Sequence, residues 1–253
     1  MTVFQGHAII VTGAASGIGR AIAEHLALQG AVVGIFDLNG EGAAQAAREI
    51  GISGGKALAY QLDITNYQAA RDAVEVFQKA EGPLYGLVNN AGWDEAKNFI
   101  DTEPDFWRKV IDVNLYGPMN MTHVACRQMA PHGQGRVVSI ASDAGRVGSS
   151  GEAVYSAAKG GTIALMKTLA REFARQGITF NSVCPGPTDT PLLAAFDASS
   201  GGRLVHALER SVPMRRLANP SDFPKVVSMF LDPASGYITG QTISVSGGLS
   251  MHG

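Results

Sequence analysis

Short, continuously apolar runs alternate along this chain with longer stretches of helical period. Ala8-Ile-Ile-Val-Thr12 reads as a buried strand, and Ile18 to Gln29 follows as a helix with Ile22, Ala23 and Leu26 on one face. Ala31 to Phe36 is the next strand and Glu41 to Ile50 the next helix, then Ala57 to Gln61 and Tyr67 to Lys79. The strand signal returns at Leu84 to Val88, Arg136 to Ala141 and Ile178 to Val183, with helices near 104–130 and 152–175 between them. A helix near 221–231 leads into a last strand at Thr242 to Val245. Strands apolar throughout, each followed by a helix, predict an α/β fold whose parallel sheet is covered on both faces. The pattern runs from residue 8 to 245 without a linker, so it predicts one doubly wound domain over residues 1–253.

One segment breaks the rhythm. Residues 186–213 are rich in Pro, Gly and Ser, with Leu192, Leu193, Phe196, Leu204 and Leu208 interspersed. A long loop of this composition reads either as a substrate-covering lid or as a passive surface excursion.

Composition narrows the function classes. Apolar residues make up 45% and charged residues 17%, which excludes a disordered chain. Twenty Lys and Arg against 22 Asp and Glu give a net charge of -2, without the basic excess of a nucleic-acid binder. Cys126 and Cys184 form no close pair, and two buried thiols in a reducing compartment are expected. No Lys or Arg precedes Arg20 and no apolar run reaches membrane-helix length, so a cytoplasmic protein with no membrane partner is expected. The six histidines lack metal-ligand spacing, and no metal is assigned. Glycine is in excess, 31 of 253 residues. With no collagen period, these glycines must serve turns, close backbone contacts or close helix packing.

Some of them gather where the first strand becomes the first helix, in Thr12-Gly13-Ala-Ala-Ser16-Gly17-Ile-Gly19. Missing side chains let backbone approach a pyrophosphate, and a helix N-terminus favours negative charge. The Gly-x-Gly-x-x-Gly spacing is absent, since Ile22 follows Gly17 and Gly19, so an ordinary glycine turn is the alternative. Asp37 at the end of the second strand sharpens the signal: a carboxylate there accepts hydrogen bonds from ribose hydroxyls and repels a 2′-phosphate. No Arg or Lys at 14–16 or 38 offsets that repulsion, which points to NAD over NADP; a solvated strand-end Asp is the bland alternative.

The ordered set Thr12-Gly-x-x-x-Gly-x-Gly19, Asn89-Asn-Ala-Gly92, Tyr155-x-x-x-Lys159 and Pro185-Gly186 resembles the short-chain dehydrogenase/reductase family over essentially the whole chain. The resemblance implies a Rossmann-type domain with a seven-stranded parallel sheet, assembled as a homotetramer. It places Gly13, Ser16, Gly17, Ile18, Gly19, Asp37, Leu38, Asp63, Ile64, Asn90, Ala91, Gly92, Gly186, Thr188 and Thr190 on the cofactor, together with Tyr155 and Lys159. Asp63 is expected at adenine, Asn90 at the ribose side, and Thr188 and Thr190 near the nicotinamide amide and phosphates. Further segments resemble family members that oxidise alicyclic β-hydroxyacyl-CoA thioesters: Asn90-Ala-Gly-Trp-Asp94, Ala141-Ser-Asp143, Arg146 to Tyr155, Cys184 to Thr190, Ile238 to Gln241 and Ser244 to Leu249. They imply NAD-dependent oxidation of such an alcohol, with 3-oxoacyl thioesters, steroids, polyols or aryl ketones as other substrate classes and a non-catalytic nucleotide-binding scaffold as the rival class.

Tyr155 and Lys159 are four apart and share one helix face. Alone such a pair reads as an exposed face. Beside each other in a site, the ammonium is expected to lower the tyrosine pKa so that the phenol takes or returns the alcohol proton. Ser142, following a strand, is expected to hold the substrate oxygen, and the resemblance adds Asn114 as the holder of a relay water near Lys159. On the substrate side, Trp93 reads as a wall for an alicyclic ring or as a packing residue, and Asp143 as a substrate contact or a loop brace. Arg146, Arg203, Arg210, Arg215 and Arg216 read as partners for CoA phosphates, or as solvated or inter-subunit charges. Gly247-Gly248, with Leu249 and Met251, resembles the family's subunit-contact region, a frayed end being the alternative.

Overall fold

The computed structural model describes residues 2–191, 193–194 and 204–251. Strands β1 (Ala8–Thr12), β2 (Val32–Asp37), β3 (Lys56–Gln61), β4 (Leu84–Asn89), β5 (Gly135–Ile140), β6 (Ile178–Pro185) and β7 (Thr242–Val245) form one sheet. Its order is β3-β2-β1-β4-β5-β6-β7, and every pairing is parallel. The central strands β1, β4 and β5 are buried along their whole length, as their unbroken apolar runs require. The strand order reverses between β1 and β4, and the crevice beyond their C-terminal ends is where ligands settle in open α/β sheets.

Helices cover both faces. Helix α1 (Gly17–Leu28), α2 (Gly40–Ile52) and α9 (Pro224–Leu231) bury Ile22, Leu26, Ile50, Val227 and Phe230 on one face. On the other lie α3 (Tyr67–Glu81), α5 (Gly117–Met129) and α7 (Ala153–Glu172), with Val74, Phe77, Met121, Met129 and Met166. Local chemistry starts α2 and α3: the side chains of Asn39 and Asn66 accept from the Gly42 and Ala69 N–H groups, satisfying donors that a helix end leaves open. Two further short helices are α6 (Ala144–Val147) and α8 (Leu204–Ser211).

The helix expected near 104–130 is divided. Helix α4 (Pro104–Ile111) passes into a π-helical turn at Asp112–Tyr116 before α5 begins, and the Gly117 N–H reaches back five residues to the Asp112 carbonyl. Apolar periodicity cannot distinguish one wide turn inside a long helix. Within the segment expected as a lid, α8 is helical, whereas Leu192, Phe196 and Arg203 lie outside the described residues. Cys126 and Cys184 are both free and buried. Among the described residues, no helix is long and apolar enough to cross a membrane.

Phe77 stands edge-on to Phe36 at 6.0 Å and to Tyr60 at 5.8 Å, in a space that Gly34 leaves open. Phe77→Ala is expected to lower unfolding stability by about 3–5 kcal/mol. The denaturant midpoint falls accordingly while the slope of the transition stays unchanged.

Candidate active site

The site is assembled on the C-terminal ends of the strands. Thr12, the last residue of β1, is almost wholly buried, and its Oγ1 accepts the N–H groups of Asn90 (3.0 Å) and Ala91 (3.1 Å). The Asn90 side-chain amide donates to the Thr12 and Gly13 carbonyls at 3.0 and 2.9 Å. These bonds tie the glycine turn after β1 to the loop after β4. Gly19 is required by this knot: a Cβ there would lie 2.3 Å from both Asn90 Nδ2 and the Gly13 carbonyl oxygen. Gly13 runs at φ 62°, and its Cβ would meet the Ala91 Cα at 2.7 Å. Asn90, expected at the ribose, thus also has a structural task.

The residues of the turn fit a dinucleotide. Ser16 precedes α1 in extended conformation without a side-chain cap, and the first turn of α1 carries no acidic residue, leaving its N–H groups for an anion. Asp37 ends β2 beside the turn, where its Oδ2 accepts from the Ala15 N–H and its Oδ1 from the Asn39 N–H, both at 2.9 Å. Leu38 next to it is exposed. Thr190 leans over the turn, with Cγ2 3.6 Å from where a Gly17 Cβ would stand. Thr188 donates its hydroxyl to the Gly186 carbonyl at 2.8 Å. Asp63 turns its Oδ1 to the Thr65 N–H and hydroxyl, and Ile64 is buried over Gly117. Ile18 packs against the core on the α1 side.

Ser142, Tyr155, Lys159 and Asn114 meet one crevice over β5. The Ser142 hydroxyl lies near enough to the Tyr155 phenol to lower its pKa, and it accepts from the Ala144 N–H at 3.1 Å. The Lys159 ammonium, 3% exposed, lies 5.4 Å from the Tyr155 ring centre and donates to the Ile140 carbonyl at 3.0 Å. Asn114 sits in the π turn. Its side chain takes the Trp93 N–H at 3.3 Å and donates to the Trp93 carbonyl at 2.6 Å, while its own carbonyl accepts the Thr162 hydroxyl at 3.0 Å. Gly92 keeps the ground between them open: its Cβ would come within 2.9 Å of Asn114 Oδ1 and 3.5 Å of Lys159 Nζ.

The electrostatics correct one expectation. Burial pushes the Tyr155 phenol up from its ordinary value, helped by the charges of Glu152 and Asp94; only the nearby Ser142 hydroxyl pulls it down. Burial also lowers the Lys159 ammonium to about 8, so desolvation of both groups outweighs the downward pull that their spacing predicts.

On the substrate side, the Trp93 ring is packed edge-on to Phe106 (5.9 Å) and under the Lys109 ammonium (3.5 Å), the packing alternative for this residue. Asp143 is buried with its Oδ1 on the Ser244 hydroxyl, which also accepts from Arg146 at 2.7 Å, an arrangement that braces the loop against β7. Arg216 pairs with Asp222 at 2.7 Å, and Arg215 donates to the Arg210 carbonyl at 2.6 Å. A recess beside Tyr155, too narrow in this structure to hold a water molecule, is lined by Asp94, Lys97, Phe99, Thr102, Phe106 and Glu152. Phe99, Thr102 and Phe106 lie outside the quoted motifs, and the fold brings the segment 94–106 against the start of α7.

A family model described as enoyl-(acyl carrier protein) reductase matches residues 13–250. The chain belongs to the short-chain dehydrogenase/reductase family. It is an oxidoreductase fold of the kind that works on alcohol and keto groups with a nicotinamide cofactor. The chain is 37% identical over 251 residues to a (3R)-3-hydroxyacyl-CoA dehydrogenase of Homo sapiens, covering 96% of this chain and 95% of that protein. It is 36% identical over 240 residues to an acetoacetyl-CoA reductase of Shinella zoogloeoides, covering 94% and 96%. A crystal structure of an actinorhodin polyketide ketoreductase variant with NADPH superposes with a TM-score of 0.93 at 31% identity, covering 97% of this chain and 98% of that one.

Thr12→Val removes the acceptor of two N–H groups in the knot. A stability loss of about 1–3 kcal/mol is expected, with weakened nucleotide binding, and Thr12→Ser is expected to restore both. Thermal unfolding and nucleotide titration of the two variants check this.

Proposed function

We propose that this protein is an NAD-dependent dehydrogenase that interconverts a secondary alcohol and a ketone on an acyl thioester. The substrate is a β-hydroxyacyl-CoA carrying an alicyclic ring, oxidised to the β-keto thioester. The observation that carries the reaction class is the convergence of Ser142 and Tyr155 with the buried Lys159, whose ammonium lies 5.4 Å from the Tyr155 ring centre. Relatives named for hydroxyacyl-CoA and acetoacetyl-CoA support the thioester.

The cofactor, when bound, supplies the hydride exchange. The chain supplies binding, orientation and proton handling. Gly13, Ser16, Gly17, Ile18 and Gly19 present backbone to the diphosphate, Asp37 and Leu38 meet the adenosine ribose, and Asp63 and Ile64 lie toward adenine. Asn90, Ala91 and Gly92 border the second ribose, and Gly186, Thr188 and Thr190 border the nicotinamide. Ser142 and Tyr155 hold the reacting oxygen. Tyr155 takes the alcohol proton as its own phenol proton leaves past Lys159 to a water held near Asn114. Segment 186–213 serves as the substrate cover. The exposed Tyr237, Leu249 and Met251 near β7 suit burial between subunits of a homotetramer.

A second reading has its own support. A phenol pushed up by burial stays protonated at neutral pH and is prepared to give its proton to a ketone, which favours reduction of a 3-oxoacyl thioester.

Tyr155→Phe is expected to lower turnover by about 10²–10⁴-fold while nucleotide binding persists, measured by NADH absorbance and by titration. Retained turnover overturns the proton role. Asp37→Ala is expected to raise KM for NAD and narrow the gap to NADP; a wild-type preference for NADP overturns the Asp37 argument. A spectrophotometric screen of cyclic and linear hydroxyacyl-CoAs beside their free acids tests the substrate, and a strong preference for the free compounds overturns the thioester.

A further inference from the structure

Asp94 is a carboxylic acid beside Tyr155 to which the mechanism gives no task. It is 4% exposed, and its Oδ2 has no hydrogen-bond partner among the described residues. It lines the same narrow recess as Tyr155, with Lys97, Thr102, Phe106 and Glu152. Its position is fixed from behind, because Asn114 holds both the N–H and the carbonyl of Trp93, the residue before it. An ionised carboxylate so enclosed costs heavily unless paired, whereas a neutral acid needs an oxygen to receive its O–H.

Burial, more than the charges around it, shifts it toward the neutral form. Glu152, the residue before α7, and Tyr155 and Lys159 of α7 face it, Glu95 and Lys97 stand on its own loop, and Lys109 of α4 is engaged on the Trp93 ring. Burial pushes the Asp94 carboxyl up to about 6, opposed by the Glu95 N–H and assisted by the Glu152 charge. The Lys159 ammonium favours the ionised form less strongly than burial opposes it.

In a β-hydroxyacyl thioester a single carbon separates the carbinol from the acyl carbonyl. We propose that Asp94, as its neutral acid, donates a hydrogen bond to the acyl carbonyl while Ser142 and Tyr155 hold the reacting oxygen. Asp94 is then a specificity residue: it recognises the second oxygen of the substrate and is blind to a simple alcohol. A neutral carboxylic acid kept as a hydrogen-bond donor by its apolar surroundings is an established device in other active sites. The inference rests on the thioester reading of the site.

The test is equilibrium binding of 3-hydroxybutyryl-N-acetylcysteamine, a thioester without titrating phosphates, to the NADH-loaded protein from pH 5.5 to 8. This pair of ligands cannot react. Because the proton is held below about pH 6 and lost above it, wild-type binding is expected to weaken at least about tenfold between pH 6 and 8. Asp94→Asn, which keeps a donor at every pH, is expected to bind with a flat profile close to the wild-type value at low pH. Asp94→Ala is expected to bind weakly throughout, and NADH binding is expected to be the same in all three proteins. A flat wild-type profile, binding that tightens as pH rises, or an Asn variant as weak as Ala overturns the role of Asp94 and leaves the thioester reading standing. Wild-type protein that binds NADH but no thioester at any pH overturns the thioester reading, and the role of Asp94 with it.

Discussion

The knot between Thr12 and Asn90 is the constraint on which the rest of the site depends. Two neighbouring central strands end side by side, and their following loops diverge to opposite faces of the sheet. Left alone, the ends of β1 and β4 would carry unpaired N–H and carbonyl groups at the bottom of a crevice. The Thr12 hydroxyl and the Asn90 amide pair them across the strands. The glycine turn and the loop that carries Gly92, Trp93 and Asp94 are thereby set relative to one another before any ligand arrives. Preorganisation of this kind lowers the ordering cost of binding. It also explains why Gly13 and Gly19 tolerate no Cβ: the space they leave is filled by the other loop.

The same principle sets the electrostatics. Tyr155, Lys159 and Asp94 share one crevice, and desolvation is the leading influence on each of them. It drives all three toward their neutral forms: phenol up, ammonium down, carboxyl up. In such a place protons are exchanged between groups whose charged states are all costly, and the position of each proton becomes sensitive to what is bound. The nearby Ser142 hydroxyl acts against this tendency by favouring the charged form of Tyr155.

Much of this architecture is legible in the sequence because the sheet is buried on both faces, so its strands read as apolar runs. β1 and β7 begin and end where the pattern places them, and α3 begins at the expected Tyr67. Ser142, Tyr155 and Lys159 are legible through spacing and order. The lining of the recess is not. Asp94, Thr102, Phe106 and Glu152 come from two segments far apart in the chain, and only tertiary packing makes neighbours of them. The pKa of Tyr155 illustrates a different gap: spacing shows that a lysine is near, but burial, which spacing does not encode, decides the direction. Trp93 likewise looks like a ligand wall from its place in the motif, and its ring is claimed by Phe106 and Lys109.

The wide turn at Asp112–Tyr116 has a consequence for how the family's chains can vary. One residue more than an α-helix needs is accommodated there, and it sets the phase of everything after it by about 100°. Removing a residue from the turn would relax the helix locally. The same deletion would swing α5 away from Ile64, against which Gly117 is closely fitted, and would carry Asn114 off the Trp93 backbone and the Thr162 hydroxyl. The locally strained form is therefore the one that global packing retains. Length variation in this helix has to fall outside the segment between Val110 and Gly117, however freely its surface residues change.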